Sequence, residues 1–222
     1  MPAPVSVIIP ALDEQERIGA TIDAAFAAGA AEVILADGGS RDATVSIAEA
    51  RGARVVTGES VRARQLNRGA ELARHETLLF LHADTLLPRG AAEAVQKAID
   101  SGCVFGGFRI AFLEPGLRRV AFMINLRTRF TRAPWGDQAQ FASRTAFERA
   151  GRYAELPIME DYELARRMKR HGRTVLLPLT VETSGRRFLR KGILRTSALN
   201  WLIIACFHAG VAPDSLARWY RR

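Results

Sequence analysis

The sequence predicts an α/β fold built on a mostly parallel, doubly wound sheet, followed by a C-terminal helical extension. Three observations carry that expectation. Short β-like runs alternate with helical patterns four times in the first half. Each run ends in residues suited to a turn, and the second half is less regular and strongly basic. Repeated β-then-α units fold as parallel strands with right-handed crossovers.

Taken in order, "VSVIIP" (5–10) precedes an Ala-rich helical stretch that ends near Gly29. "AEVILAD" (31–37) precedes "ATVSIAEARG", whose Gly52 suits a helix C-terminus. "ARVVTG" leads into "VRARQLNRGAELA", and "TLLFLHAD" leads into "GAAEAVQKAI". Further on, "CVFGGFRIAF" (103–112) reads as a strand pair or one long bent strand, with glycines at a close approach. "GLRRVAFMINLRTRF" has helical spacing, and "QAQFASR" reads as a short strand. "EDYELARRMKRHG" reads as a helix running to Gly172, and "RTVLLP" returns as a strand. The chain contains no internal repeat or low-complexity linker, so one domain with an extension is expected.

Composition narrows the class. A chain of 222 residues with 48% hydrophobic and 25% charged residues fits a soluble globular protein. Cys103 and Cys206 have no metal-binding or redox spacing, which points to a reduced, cytoplasmic setting. The start of the sequence reads as having no signal peptide. Leu199 to Val211 is the longest apolar stretch, and it falls short of the roughly 20 residues that span a bilayer. That stretch is expected either to pack on the core or to lie at a membrane interface.

Charge is unevenly placed. Residues 1–111 hold 11 Lys and Arg against 14 Asp and Glu, whereas residues 112–222 hold 21 against 9. The basic half suggests an anionic partner, either a phosphate-bearing molecule or the acidic inner face of a membrane. No DNA- or RNA-binding motif is present, so nucleic acid is not an expected partner.

The chemistry-bearing residues gather at strand ends. In open α/β sheets, ligands bind outside the carboxyl ends of the strands. That rule puts Asp13 and Glu14, then Asp37 to Ser40, then His82 and Asp84 on one rim. In a strand, residues i and i+2 share a side, so His82 and Asp84 can meet one ligand together. Each segment also has an ordinary reading. Asp13 with Glu16 three residues on resembles an N-terminal cap, and Ser40 or Asp42 suits a tight turn into a helix. Glu160 and Asp161 would suit the positive end of a helix dipole.

The order and spacing of "VSVIIPALDE", "VILADGGSRDAT", "RARQLNRGAELA" and "LLFLHADT" resemble the family-two glycosyltransferases of the GT-A fold. The resemblance covers roughly residues 4–183 and is nearest to a bacterial branch of unknown substrate. It implies a glycosyltransferase domain over residues 1–185, with a nucleotide-binding half of about 1–111 and an acceptor half of about 112–185. Residues 186–222 then form the basic, apolar helical extension. Inverting transfer of a sugar from a UDP- or GDP-linked donor to an unknown acceptor is the implied activity, and the charge of the basic half favours an acceptor that is anionic or presented at a membrane.

By the same resemblance Glu14 and Asp37 contact base and ribose, with Pro10, Leu12 and Ala83 alongside. Arg64 lies near the base or diphosphate, with Arg62 as the fallback. Asp84 matches the last carboxylate of the family's metal motif and implies a divalent cation, Mn²⁺ or Mg²⁺. The usual first Asp of that motif is His82 here, which either joins the metal or donates to ribose. Asp161 is implied as the general base with Glu160 beside it. Trp135, Asp137 and Gln138 are implied to wall the sugar or acceptor, and Arg186 and Arg187 to reach the diphosphate. Two rival readings are a nucleotidyltransferase and a non-catalytic nucleotide- or anion-binding module. The acidic "PALDEQERI" after the first strand counts against the former, and the paired Asp84 and Asp161 count against the latter.

Overall fold

The computed structural model describes residues 3–221. Its elements run β1 (Ala3–Ala11), α1 (Ile18–Ala27), β2 (Ala30–Asp37), α2 (Thr44–Ala50), β3 (Arg54–Thr57) and α3 (Arg62–Leu72). They continue with β4 (Thr77–Phe80), β5 (Thr85–Leu86), α4 (Ala91–Asp100), β6 (Cys103–Phe112) and α5 (Arg118–Thr131). Then come β7 (Phe141–Ser143), α6 (Arg144–Arg149), α7 (Glu160–Met168) and β8 (Arg173–Thr183). The helices α8 (Arg186–Lys191), α9 (Ile193–His208) and α10 (Pro213–Arg221) complete the chain.

One eight-stranded sheet has the order β3-β2-β1-β4-β7-β6-β8-β5. The first four positions are parallel throughout, which matches the four alternating units. Beyond β4 the sheet is mixed: β7 is antiparallel to both β4 and β6, β8 is parallel to β6, and β5 is antiparallel to β8. β6 and β8 therefore run in the same direction as the first four strands, and β7, reached after α5, is the reversed strand between β4 and β6.

β1 explains the layering. Val7 and Ile9 pack into one apolar cluster with Ile18 and Ile22 of α1 and Val95 of α4. Ile8, pointing the other way, joins Leu66 of α3, Phe105 and Phe147. A strand covered on both faces reads as a continuous apolar run, which is why "VSVIIP" lacks alternation.

The segment 103–112 is one strand, bent rather than paired with itself. Its register against β8 shifts between Phe108 and Arg109, which face Leu177 and Thr180. Pro178 falls in that bulge, where no ladder donor is required. A Cβ at Gly106 would stand 2.5 Å from the Val175 carbonyl oxygen, so the strand can approach β8 only with glycine there. The helix expected to reach Gly172 ends at Met168, and a turn covers the remainder.

One side chain fixes the splay of the first two strand ends. Gln65 of α3 is buried, and its amide donates to the Ala11 and Ala36 carbonyls at 2.9 and 2.8 Å. Replacing Gln65 with Leu keeps the volume but removes both donors. The expected loss is about 1–3 kcal/mol, read as a lower urea midpoint with unchanged slope.

Candidate active site

The loops after β1 and β2 are laced into one rim. Asp13, at φ 53°, accepts from the Arg41 amide at 2.8 Å, and its own amide donates to Ser40 Oγ at 2.9 Å. The Glu14 amide donates to Thr44 Oγ1 at 2.8 Å, and the Gln15 amide donates to Asp42 at 3.1 Å. Asp13 therefore bridges loops instead of capping α1, which carries no side-chain cap. Asp37 is buried, and its carboxylate accepts from the Gly39 amide at 2.8 Å and from Ser40 Oγ at 2.5 Å. Its oxygens hold the turn that carries Ser40 toward Asp13.

Inside this rim lies a cleft of about 230 Å³. Pro10, Leu12 and Glu14 line it from the β1 loop, Arg62 from α3, and His82 to Asp84 from the turn after β4. Arg186 closes it from α8. His82 and Asp84 sit beyond the strand, yet half-burial still alternates with the buried Leu81, Ala83 and Thr85. The Ala83 carbonyl is pinned by Thr21 Oγ1 at 2.7 Å, which holds the intervening turn.

Two arginines dominate the charge. Arg186 lies 2.7 Å from a Glu14 oxygen and 3.4 Å from an Asp84 oxygen, so both carboxylates converge on one guanidinium. Burial raises Asp84 from its ordinary value, the Arg186 charge opposes that rise, and Glu14 adds to it. Arg62 is held by Glu160, 3.1 Å from its Nε, and its Nη2 contacts His82 Nε2. A guanidinium can only donate, so His82 Nε2 accepts and the imidazole is neutral. Burial holds His82 well below its usual value, and the charges of Arg62 and Arg186 push it the same way.

A divalent ion carried by a diphosphate takes most of its ligands from phosphate and water, so a single protein carboxylate suffices. Asp84 fits that requirement, with Glu14 beside it and a cation already drawn to the pair. Among the described residues, no group of three or more His, Cys, Asp or Glu could hold a metal. His82 does not fit as a ligand in this arrangement, because its Nε2 lone pair is turned to Arg62.

The second cluster comes from the chain between β6 and α7. The Gly136 amide donates to Asp161 Oδ2 at 2.6 Å, and the Tyr162 amide donates to Oδ1 at 2.7 Å. A Cβ at Gly136 would lie 2.8 Å from both Arg62 Nη2 and His82 Nε2, and 3.1 Å from Asp161 Oδ2. Glycine thus brings Asp161 against the arginine end of the cleft. Burial raises Glu160, Arg62 counters that rise, and Asp161 reinforces it. Trp135 is half-buried, with the Arg127 guanidinium 3.5 Å above its ring and Tyr162 edge-on at 6.4 Å.

The structure sorts the expected residues. Arg62, not Arg64, enters the cleft; Arg64 ties to Glu59 and, at 2.9 Å, to Glu155 on the outer surface. Gln138 is fully buried, accepting from Thr128 Oγ1 at 2.7 Å and donating to the Phe108 carbonyl at 3.0 Å. It shapes the loop and is not exposed to an acceptor. Arg187 points away from Arg186, as adjacent helical residues do, and stacks 3.4 Å over Tyr220. Burial lowers Arg187 to about 10. Gly136, Arg127 and Tyr162 escaped the sequence reading. For Arg127 a signal existed: it shares the inward face of α5 with Ile124 and Thr128, a lone cation among inward positions.

The profile described as Glycosyl transferase family 2 matches residues 6–198. No curated protein matches the chain. Among solved structures, residues 1–349 of S. aureus TarS superpose with TM-score 0.67 at 14% identity, covering 90% of this chain and 64% of that one. Against the longer TarS chain, the coverage of that chain is 36%. The mannosyltransferase PcManGT from Pyrobaculum calidifontis, in complex with GDP-Man and Mn²⁺, gives TM-score 0.66 at 19% identity, covering 100% of this chain and 70% of that one. Glucosyl-3-phosphoglycerate synthase from Mycobacterium tuberculosis, with Mn²⁺, UDP and glucosyl-3-phosphoglycerate, gives 0.55 at 21%, covering 82% and 71%. At these identities the likeness is one of fold.

Asp137 offers a test of the second cluster's electrostatics. Its Oδ1 is buried without a partner, and burial raises the carboxyl to about 6, with Arg127 opposing and Asp161 adding to the rise. The folded state therefore holds this proton above the pH at which the unfolded chain releases it. Stability from this residue falls as pH rises from about 4 to about 6. Asp137→Asn should flatten that fall and raise stability at neutral pH by roughly 2–3 kcal/mol, checked by urea unfolding across the window.

Proposed function

The chain belongs to glycosyl transferase family 2, and on that premise we propose that it transfers a sugar, with inversion, from a nucleoside diphosphate donor to an acceptor hydroxyl. The observation that carries this reading is the contact across Gly136. It sets a carboxylate, Asp161, against the cationic end of a cleft at the carboxyl ends of β1 and β4.

The nucleotide enters past Pro10, Leu12 and Ala83, with Glu14 available to ring N–H or sugar hydroxyl donors. Its diphosphate is drawn to Arg62 and Arg186. Both guanidiniums are engaged by carboxylates in the free protein, so donor binding exchanges one anionic partner for another. A divalent ion held by Asp84 would neutralise charge on the departing diphosphate. The complexes of PcManGT with GDP-Man and Mn²⁺ and of the mycobacterial synthase with UDP and Mn²⁺ support a UDP- or GDP-linked donor and such an ion.

Asp161 acts as general base. Each of its oxygens accepts one backbone amide, which fixes the carboxylate while leaving lone pairs for an incoming hydroxyl. The acceptor oxygen attacks the anomeric carbon from the face opposite the diphosphate as its proton passes to Asp161. The bond from that carbon to the phosphate oxygen breaks, and the electron pair leaves with the nucleoside diphosphate. Glu160 keeps Arg62 in place, and Trp135 with Tyr162 forms an aromatic wall on the acceptor side.

Asp161→Asn should retain binding of UDP or GDP by calorimetry while slowing nucleoside diphosphate release from the nucleotide sugar on the order of 10²–10⁴-fold. A variant that turns over at more than half the wild-type rate removes the base assignment. In the same measurement, Asp84→Ala should abolish the gain in nucleotide affinity that Mn²⁺ gives over EDTA. Equal wild-type affinity in both media would remove the metal from the reading.

A further inference from the structure

We propose that the outward faces of α5 and α9 form a docking surface for an anionic lipid bilayer. On α5, Phe122, Met123, Leu126 and Phe130 are all exposed, with Phe130 at 78%. They recur at three- and four-residue steps, so they form one stripe along the helix, bordered by the exposed Arg119 and Arg129. On α9, Leu194, Ala198, Trp201, Leu202 and Ala205 make a second exposed stripe, with Leu194 at 86%, Trp201 at 62% and Arg195 beside them. Only Thr196 and Ile203 of that helix are buried.

Apolar positions at helical spacing normally face a core, and a large exposed apolar surface marks a binding face. Charge selects the occupant. Residues 115–136 and 183–213, which include α5, α8 and α9, contain no Asp or Glu, while arginines border both stripes. A second copy docking on these faces would bring guanidiniums against guanidiniums. An acidic bilayer supplies acyl chains for the stripe and headgroup charge for the arginines. Among the described residues no helix is long and apolar enough to cross a membrane, so the helices lie on the surface.

The two helices border one side of the site. Arg127 of α5 stacks on Trp135, Trp135 meets Tyr162, and the Tyr162 hydroxyl is 2.7 Å from His208 Nε2 of α9. On the reading of that side as the acceptor side, the acceptor is one presented at the bilayer.

Co-sedimentation of the full chain with vesicles tests the docking itself, because it needs neither donor nor turnover. The expected result is binding to mixed phosphatidylcholine–phosphatidylglycerol vesicles at low salt, weakened by added salt. Phe130→Ser with Trp201→Ser, and separately Arg119→Gln with Arg129→Gln and Arg195→Gln, should each reduce that binding about tenfold or more while leaving the thermal midpoint unchanged. No binding to the mixed vesicles at low salt overturns the proposal, as does equal binding of wild type to phosphatidylcholine alone. A dimer by light scattering that Phe130→Ser with Trp201→Ser dissociates also overturns it, in favour of a second copy.

Discussion

Everything at this site depends on the missing side chain at residue 136. The cleft is built mainly at the parallel half of the sheet, and Asp161 comes from a helix reached through the mixed half. The two meet only because Gly136 lets Arg62, His82 and Asp161 close around a backbone without a Cβ, which would lie 2.8 Å from two of them. The same residue contributes its amide to Asp161 at 2.6 Å. Backbone, rather than another side chain, thus orients the carboxylate, and backbone has little rotamer freedom to lose. Neighbouring Trp135 and Gln138 serve this placement: the fully buried Gln138 accepts from the Trp135 amide at 3.3 Å and anchors the turn to β6 through the Phe108 carbonyl.

Around that contact the protein balances charge internally. Arg62 is matched by Glu160, and Arg186 by Glu14 and Asp84. Leaving the half-buried Arg62 without a partner would be costly, and so would leaving the buried Glu160 without one. The pairings let the protein fold with a site pre-set for a highly charged ligand. On the proposed reading, a diphosphate would compete with carboxylates that are already in place. Neutral His82 follows from the same arrangement, because a protonated ring between Arg62 and Arg186 would add a third cation.

The parallel half was legible because each strand is short, apolar and followed at once by turn residues and a helix. The rim positions of Glu14, His82 and Asp84 followed from the rule that ligands sit at strand carboxyl ends. What the sequence concealed was phase and direction. Arg62 and Arg64 lie two positions apart, so they face opposite sides of α3, and only the helix start at Arg62 decides which one enters the cleft. A run such as "FAS" shows a strand but not its antiparallel placement between β4 and β6. Gln138 looked like a ligand residue because it is polar beside Trp135, whereas its partners on α5 and β6 are distant in sequence. Asp37 is of the same kind, with its carboxylate closed on its own turn.

The C-terminal helices show why the apolar run at 199–211 could not be assigned by pattern alone. Both faces of the sheet are already covered, by α1 and α4 on one side and by α3, α6 and α7 on the other. By the time β8 ends at Thr183, little open core surface remains for a helix to bury. α8 reaches the sheet through Phe188, which packs on Phe112 with ring centroids 5.4 Å apart, and α9 reaches inward through Ile203. An apolar helix added to a finished core must leave most of its apolar face outside. α5 likewise leaves apolar surface outside, because its Ala121 and Thr128 are buried while Phe122 and Phe130 are not. Those faces belong to acid-free stretches of the chain and are bordered by arginines, so the apolar surface left uncovered by the fold is suited to an anionic, apolar phase.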